Sequence, residues 1–190
     1  MPALRQQSGI TLIEVLVSIL ILGLALISLA GLQSYTVKYQ LGSANRAVLS
    51  MLVSDFSERV RANREAAPGG SGAAASSSPY LLTATWEEQG TAPSAPGTDC
   101  IKVGCADAAT LAQWDMALWR QRVREELPRG SAQVRGTLQN GMDVTIMWQD
   151  NELGSASPVC AANPTPAEAR NCCPVSLPAG VRCANFLILP

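Results

Sequence analysis

Gln7-Ser8-Gly9-Ile10-Thr11-Leu12-Ile13-Glu14-Val15-Leu16-Val17 decides how this chain is read. A small-residue junction runs straight into an apolar helix that carries one carboxylate. After Glu14 the next charged residue is Lys38. Positions 15–37 therefore supply the ~20 residues that a membrane span needs. A carboxylate within such a span costs roughly 2.5–3.5 kcal/mol or more, and a retained one marks function. Something must offset that cost. The obvious candidate is a cation from a neighbouring copy or a partner chain.

Two plainer readings compete. One is an ordinary single-pass membrane anchor. The other is a secretory signal, with Arg5 as its basic region and Ser28-Leu29-Ala30 before Gly31 as a small-x-small cleavage site. Glu14 argues against both. The apolar run also exceeds the usual 7–15 residues of a signal's apolar region.

Gly9, Ile10, Thr11, Leu12, Ile13 and Glu14 resemble the class III signal of type IV pilins and type II secretion pseudopilins. The resemblance implies that a prepilin peptidase cuts between Gly9 and Ile10 and N-methylates Ile10. Glu14 then becomes the fifth mature residue, the position that family uses for subunit assembly. A carboxylate and a terminal amine on adjacent helices neutralise each other, whereas either alone in lipid is unfavourable. The implied fold is α+β, the type IV pilin fold. Its long N-terminal helix, transmembrane in its first half, packs on a small antiparallel sheet head with one additional helix and disulfide-stapled loops.

Composition agrees with an exported protein. The 190 residues allow one ordinary domain plus an extension. The net charge is −1, and loss of residues 1–9 would remove Arg5. No basic excess points to nucleic acid. Six cysteines with no histidine suit an oxidising compartment better than a zinc site.

The chain divides into a leader (1–9), a long helix (10–65), a flexible connection (66–79) and a head (80–190). No proline occurs between Ile10 and Ala67. Residues 10–37 are apolar and 38–65 amphipathic, with Leu41, Val48, Leu52, Phe56 and Val60 on one helical face. From Ile10 to Asn63 such a helix measures ~80 Å. Ala66-Ala67-Pro68-Gly69-Gly70 ends it, and Ser- and Ala-rich sequence follows.

Within the head, Tyr80 to Trp86 reads as a short strand. Asp107 to Leu127 reads as a helix with Leu111, Trp114, Leu118 and Val123 on its apolar sector and Trp119 at the edge. Pro128 and Gly130 stop it. Val134 to Leu138 and Met142 to Trp148 read as a hairpin. A three-residue loop, Gln139-Asn140-Gly141, pairs Leu138 with Met142, aligns both apolar sets and puts glycine in the left-handed position. Cys183 to Leu189 reads as a final strand.

Cys100 and Cys105 lie close enough for a local disulfide. Cys160, Cys172, Cys173 and Cys183 allow three pairings. Adjacent Cys172 and Cys173 point apart and bond different partners. Cys160–Cys172 with Cys173–Cys183 is taken first, with a vicinal disulfide or a metal site as alternatives. The chain contains no GxSxG, HExxH, P-loop or GxGxxG. No catalytic residue, resident cofactor or metal ligand is expected, and the chain does not read as an enzyme.

A second resemblance is carried by Ser57-Glu58-Arg59-Val60-Arg61-Ala62-Asn63, Asp99-Cys100, Cys105, Asp115, Trp119, Leu127-Pro128 and Gly130. These resemble PilV-type minor pilins. That likeness implies a structural role in starting pilus growth from the bacterial inner membrane, the head in the periplasm and later at the cell surface. The implied partners are prepilin peptidase, other minor pilins, the major pilin and a tip adhesin, with no direct contact to nucleic acid. A minor pseudopilin of a type II secretion system is the alternative.

Overall fold

The structure is a computed structural model that describes residues 9–97, 99–150, 157–175 and 177–190, without the side chains at 38, 39, 41 and 42. The leader up to residue 8 lies outside the described residues. The chain forms two units, Met1–Ala44 and Asn45–Pro190.

In the first unit the apolar run is helical. Helix α1 spans Leu12–Ala62, starting two residues later than the sequence suggests because Thr11 acts as its cap. The Thr11 side chain accepts the Glu14 N–H at 3.4 Å. Leu12–Val37 has a mean hydropathy of 2.8 and is long and apolar enough to cross a membrane. Its hydroxyls are satisfied locally. Ser18, Ser28 and Thr36 donate to carbonyls one turn back at 2.7, 3.0 and 2.9 Å. Such back-bonding pairs these hydroxyls within the helix itself.

In the second unit, α1 buries Leu49, Leu52, Val53, Phe56 and Val60, with Val48 partly covered. Leu49 and Val53 widen the stripe read from sequence. The side chain of Leu41 is not among those described. Two four-residue helices, α2 (Cys100–Val103) and α4 (Pro166–Ala169), flank the main head helix α3 (Ala108–Glu126) in chain order. Asp107 caps α3 by accepting the Thr110 N–H at 2.7 Å.

The buried face of α3 differs from the sequence reading. Ala112, Asp115, Met116, Trp119 and Val123 face inward, while Leu111, Trp114 and Leu118 are only half-buried. Trp119 is fully buried, donates its indole N–H to the Leu52 carbonyl at 2.9 Å and packs 4.7 Å from the Phe56 ring. The reason is Asp115, which an apolar tally passes over. Arg59 of α1 donates to its Oδ1 at 3.0 Å, and the Tyr80 hydroxyl donates to Oδ2 at 2.8 Å. Paired on both oxygens, the carboxylate can enter the core, and the helix turns to bring it there.

Strands β1 (Ser131–Thr137), β2 (Gly141–Gln149) and β3 (Val181–Ile188) form one antiparallel sheet in the order β1-β2-β3. Thr137 pairs with Gly141, so the three-residue loop is Leu138-Gln139-Asn140 rather than residues 139–141. The displacement leaves every side chain on its expected face, because the pairing shifts by two and strand side chains alternate. Contacts outside the hairpin select it. The Leu138 N–H donates to the Pro68 carbonyl at 3.0 Å, and Gln139 Nε2 donates to the Gly69 carbonyl at 3.0 Å. Gly141 has φ 91° and Gly136 φ 101°. A Cβ at Gly136 would collide with the Gly141 carbonyl oxygen.

One sheet face, with Val134, Met142, Val144 and Ile146, joins α1 and α3 in the main core. The other face, with Met147, Val181 and Cys183, packs with Trp86, Cys173 and Leu177. This division explains why Tyr80 to Trp86 is not the strand expected. Tyr80 belongs to the first cluster and Trp86 to the second. A flat strand would hold these even-numbered positions on one face. Instead the segment crosses the edge of β1, its backbone pairing there through one bridge, Leu82 to Val134, with the Gln133 side chain donating to the Ala84 carbonyl. The connection read as flexible contains hydrogen-bonded turns, with Ser78 Oγ donating to the Ala66 carbonyl at 2.5 Å and Ala66 and Ala67 buried. The long apolar helix, small antiparallel sheet, extra helices and disulfides fit the α+β type IV pilin fold.

Burial, then the Asp115 carboxylate, raises the Tyr80 phenol well above its ordinary value. The neutral phenol is the form the fold favours. That stabilisation is complete below the unfolded phenol's pKa of ~10 and is lost as pH rises beyond it. Urea unfolding should therefore weaken more steeply above pH ~10 in the natural chain than in Tyr80→Phe. Asp115→Ala should cost about 2–3 kcal/mol at neutral pH in the same assay, since it removes the closer acceptor of the buried Tyr80 hydroxyl and one of the two carboxylates that Arg59 pairs with.

Candidate functional site

The residues expected from sequence to be processed and to serve assembly, Gly9, Ile10 and Glu14, lie together at and just before the start of α1. Gly9 and Ile10 precede the helix, and Ile10 is 76% exposed. Among the described residues, no atom outside its own neighbours comes within 4 Å of the position a Gly9 side chain would take. Both features suit a segment that has to enter another protein's active site. Glu14 sits in the first turn of α1, where the unpaired N–H groups of the helix favour a carboxylate. Its side chain is exposed. Among the described residues it has no ion-pair partner within its own chain. A carboxylate so placed can hydrogen-bond or pair with a cation on a second helix.

A family model for the prokaryotic N-terminal methylation motif matches residues 4–30. The chain is pilin- or pseudopilin-like. The motif is the signature of chains processed by a prepilin peptidase, and with the apolar helix it fits a membrane-anchored pilin. Comparison with curated proteins and with solved structures returns no match.

The head of this pilin-like chain carries three disulfides, Cys100–Cys105, Cys160–Cys172 and Cys173–Cys183. The first closes a loop around α2, whose Asp99 cap accepts the Ile101 N–H at 3.1 Å. The loop presents Ile101, 80% exposed, and Val103 to the outside. Of the other two, Cys160–Cys172 closes a loop within the long segment before β3, and Cys173–Cys183 ties that segment to the sheet's second face. Cys173 is fully buried, its N–H donates to the Pro158 carbonyl at 2.8 Å, and its carbonyl accepts the Cys160 N–H at 2.9 Å. Cys172 faces the other way toward Cys160, as alternation along an extended chain requires. Among the described residues no cysteine is free, and no group of three His, Cys, Asp or Glu side chains could hold a metal ion.

Two contributors to this surface escaped the sequence reading. Asn185 of β3 donates to the carbonyls of Ala169 and Cys172 at 2.7 and 2.8 Å and accepts the Thr145 hydroxyl at 2.7 Å. An asparagine in a strand gives no local sign of such a long-range bridge. Thr165 and Glu168 form a capping box around α4. Here the signal was present, as the T-x-x-E spacing with proline following the threonine.

Replacing both Cys173 and Cys183 by serine should lower stability by about 2–4 kcal/mol, because the bond lies in the core and ties β3 to an otherwise long loop. The corresponding Cys100 and Cys105 pair should cost less, since its loop is shorter and exposed. Thermal unfolding of the two double variants checks the order.

Proposed function

We propose that this protein is a minor pilin of PilV type, acting structurally in the priming and tip assembly of a type IV pilus. The observation that carries the reading is the methylation motif running into a span-length helix whose first turn holds an exposed glutamate with no ion-pair partner among the described residues. A prepilin peptidase in the inner membrane cuts after Gly9 and methylates Ile10. The head lies in the periplasm until assembly moves it to the cell surface. Glu14 then pairs with the terminal amine of a neighbouring subunit, which sets axial register and neutralises both charges. Other minor pilins, the major pilin and a tip adhesin are the partners. The chain performs no catalysis, takes no cofactor and makes no direct contact with nucleic acid.

The Cys100–Cys105 loop and the Trp119 helix favour the pilus over a secretion system, through their likeness to PilV-type heads. Mass spectrometry of protein from its native membrane should find a mature chain beginning at N-methylated Ile10. A chain beginning at Met1 or Gly31 would overturn the pathway. Glu14→Ala should be processed normally yet enter pili poorly, read as its ratio to the natural subunit in sheared filaments. A deletion strain that keeps its pili but stops releasing secreted enzymes would replace the pilus with a type II secretion system.

A further inference from the structure

The second face of the sheet is covered along only part of its length. Trp86, Cys173 and Leu177 pack over Met147, Val181 and Cys183. Nearer the hairpin loop the same face floors an open trough of about 380 Å³, within the size range of sites that take a whole ligand. Gln133, Arg135, Asp143, Thr145 and Asn185 form the floor, on alternate positions of the three strands. Pro164, Pro174 and the Cys160–Cys172 disulfide line it from the segment before β3.

Much of the floor's hydrogen-bonding capacity is already committed. The Thr145 hydroxyl donates to Asn185 Oδ1 at 2.7 Å, and Asn185 Nδ2 donates to the carbonyls of Ala169 and Cys172. Gln133, 5% exposed, is fixed by donating to the Ala84 carbonyl at 3.1 Å. Two charged groups remain. Arg135 and Asp143 stand directly opposite each other on β1 and β2, where unlike charges attract. Yet among the described residues neither has an ion-pair partner. Arg135 instead reaches along its own strand, donating Nη2 to Gln133 Oε1 at 3.4 Å. Both side chains are exposed.

This pairing of charges restricts what the trough can hold. A bare anion that meets Arg135 also lies about one strand spacing, ~5 Å, from the strand that carries Asp143. A bare cation at Asp143 meets the reverse difficulty. Among the described residues no group of three His, Cys, Asp or Glu side chains could hold a metal ion, and no aromatic side chain lines the trough for a sugar ring to stack on. A ligand that brings one charge of each sign satisfies both groups. An extended peptide does so with residues two apart, which project to the same side with a spacing of ~7 Å.

We propose that this trough binds an extended segment of another protein chain through an acidic and a basic side chain two residues apart. The acid meets Arg135 and the base meets Asp143. Pro164, Pro174 and the disulfide give apolar contact to the flank of that segment. Gln133 holds the guanidinium along β1 and so keeps both charges available to the partner.

The test uses the full isotope-labelled chain in detergent micelles, with its backbone amide resonances followed by NMR. The probe is an end-capped tripeptide, aspartate–alanine–lysine. Its neutral counterpart, asparagine–alanine–glutamine, and sodium sulfate are the controls. The charged peptide should shift the amides of Arg135, Asp143 and Thr145 saturably at millimolar concentration, where the neutral peptide leaves them in place. Arg135→Gln and Asp143→Asn change exposed side chains and leave the core intact. Each should weaken binding about fivefold, the upper end for a solvent-exposed charge pair, and the double variant should no longer distinguish the two peptides. No shift, equal shifts from both peptides, or binding unchanged in the single variants would overturn the proposal. So would sulfate alone reproducing the shifts, which would leave a plain anion site.

Discussion

A carboxylate in the core governs the packing of this head. Asp115 could not enter an apolar interior alone, because an unpaired charge there is far too costly. Arg59 and Tyr80 meet its two oxygens, and Arg59 also holds Asp55 at 3.2 Å. Three segments distant in sequence are thereby fixed to one point: the later part of α1, the middle of α3 and the start of the crossing segment. The rotation of α3 follows from it. Trp119 is swung onto Phe56 and Leu52, and the half-apolar face with Leu111 and Trp114 is left near the surface. Such a network, once satisfied, specifies a single arrangement where an apolar interface of the same area would tolerate several.

The sheet acts as a wall with apolar material on both sides. Its helix side is an ordinary core of Val, Met and Ile. Its outer side is covered by loops whose own hydrophobic content is small, and there the buried Cys173–Cys183 bond supplies what side-chain packing does not. Trp86 is pinned on that side with Arg129, whose guanidinium lies 5.4 Å over the indole although its backbone adopts φ 52°. A non-glycine residue in that conformation is costly, so the stacking and the tight turn into β1 together hold it.

Much of this architecture was legible in the sequence where one local rule sufficed. A proline-free run and Pro-Gly stops bounded the two long helices to within a few residues. Alternation gave the faces of the hairpin, and the methylation motif was readable because it is a contiguous signal with one charge at a fixed offset. What escaped depended on partners far along the chain. Asp115 gave no local sign of burial, which depends on Arg59 and Tyr80 beside it. The hairpin slipped by two positions because Pro68 and Gly69 hold its loop. Tyr80 to Trp86 had strand composition, yet its two aromatic ends were claimed by opposite sides of the sheet.

The position of β2 has a further consequence for the order of events during folding. Its first neighbour, β1, lies just upstream through a three-residue loop, while its second, β3, begins more than thirty residues downstream. The hairpin can zip early at little entropic expense, whereas the third strand must close a long loop before it gains anything. Until Val181 to Ile188 arrives, the outer edge of β2 is an open template of unpaired backbone groups. The strand order thus leaves the edge of the head's central strand open to other chains until β3 covers it, and the Cys173–Cys183 bond then ties β3 to the segment packed on the sheet's second face.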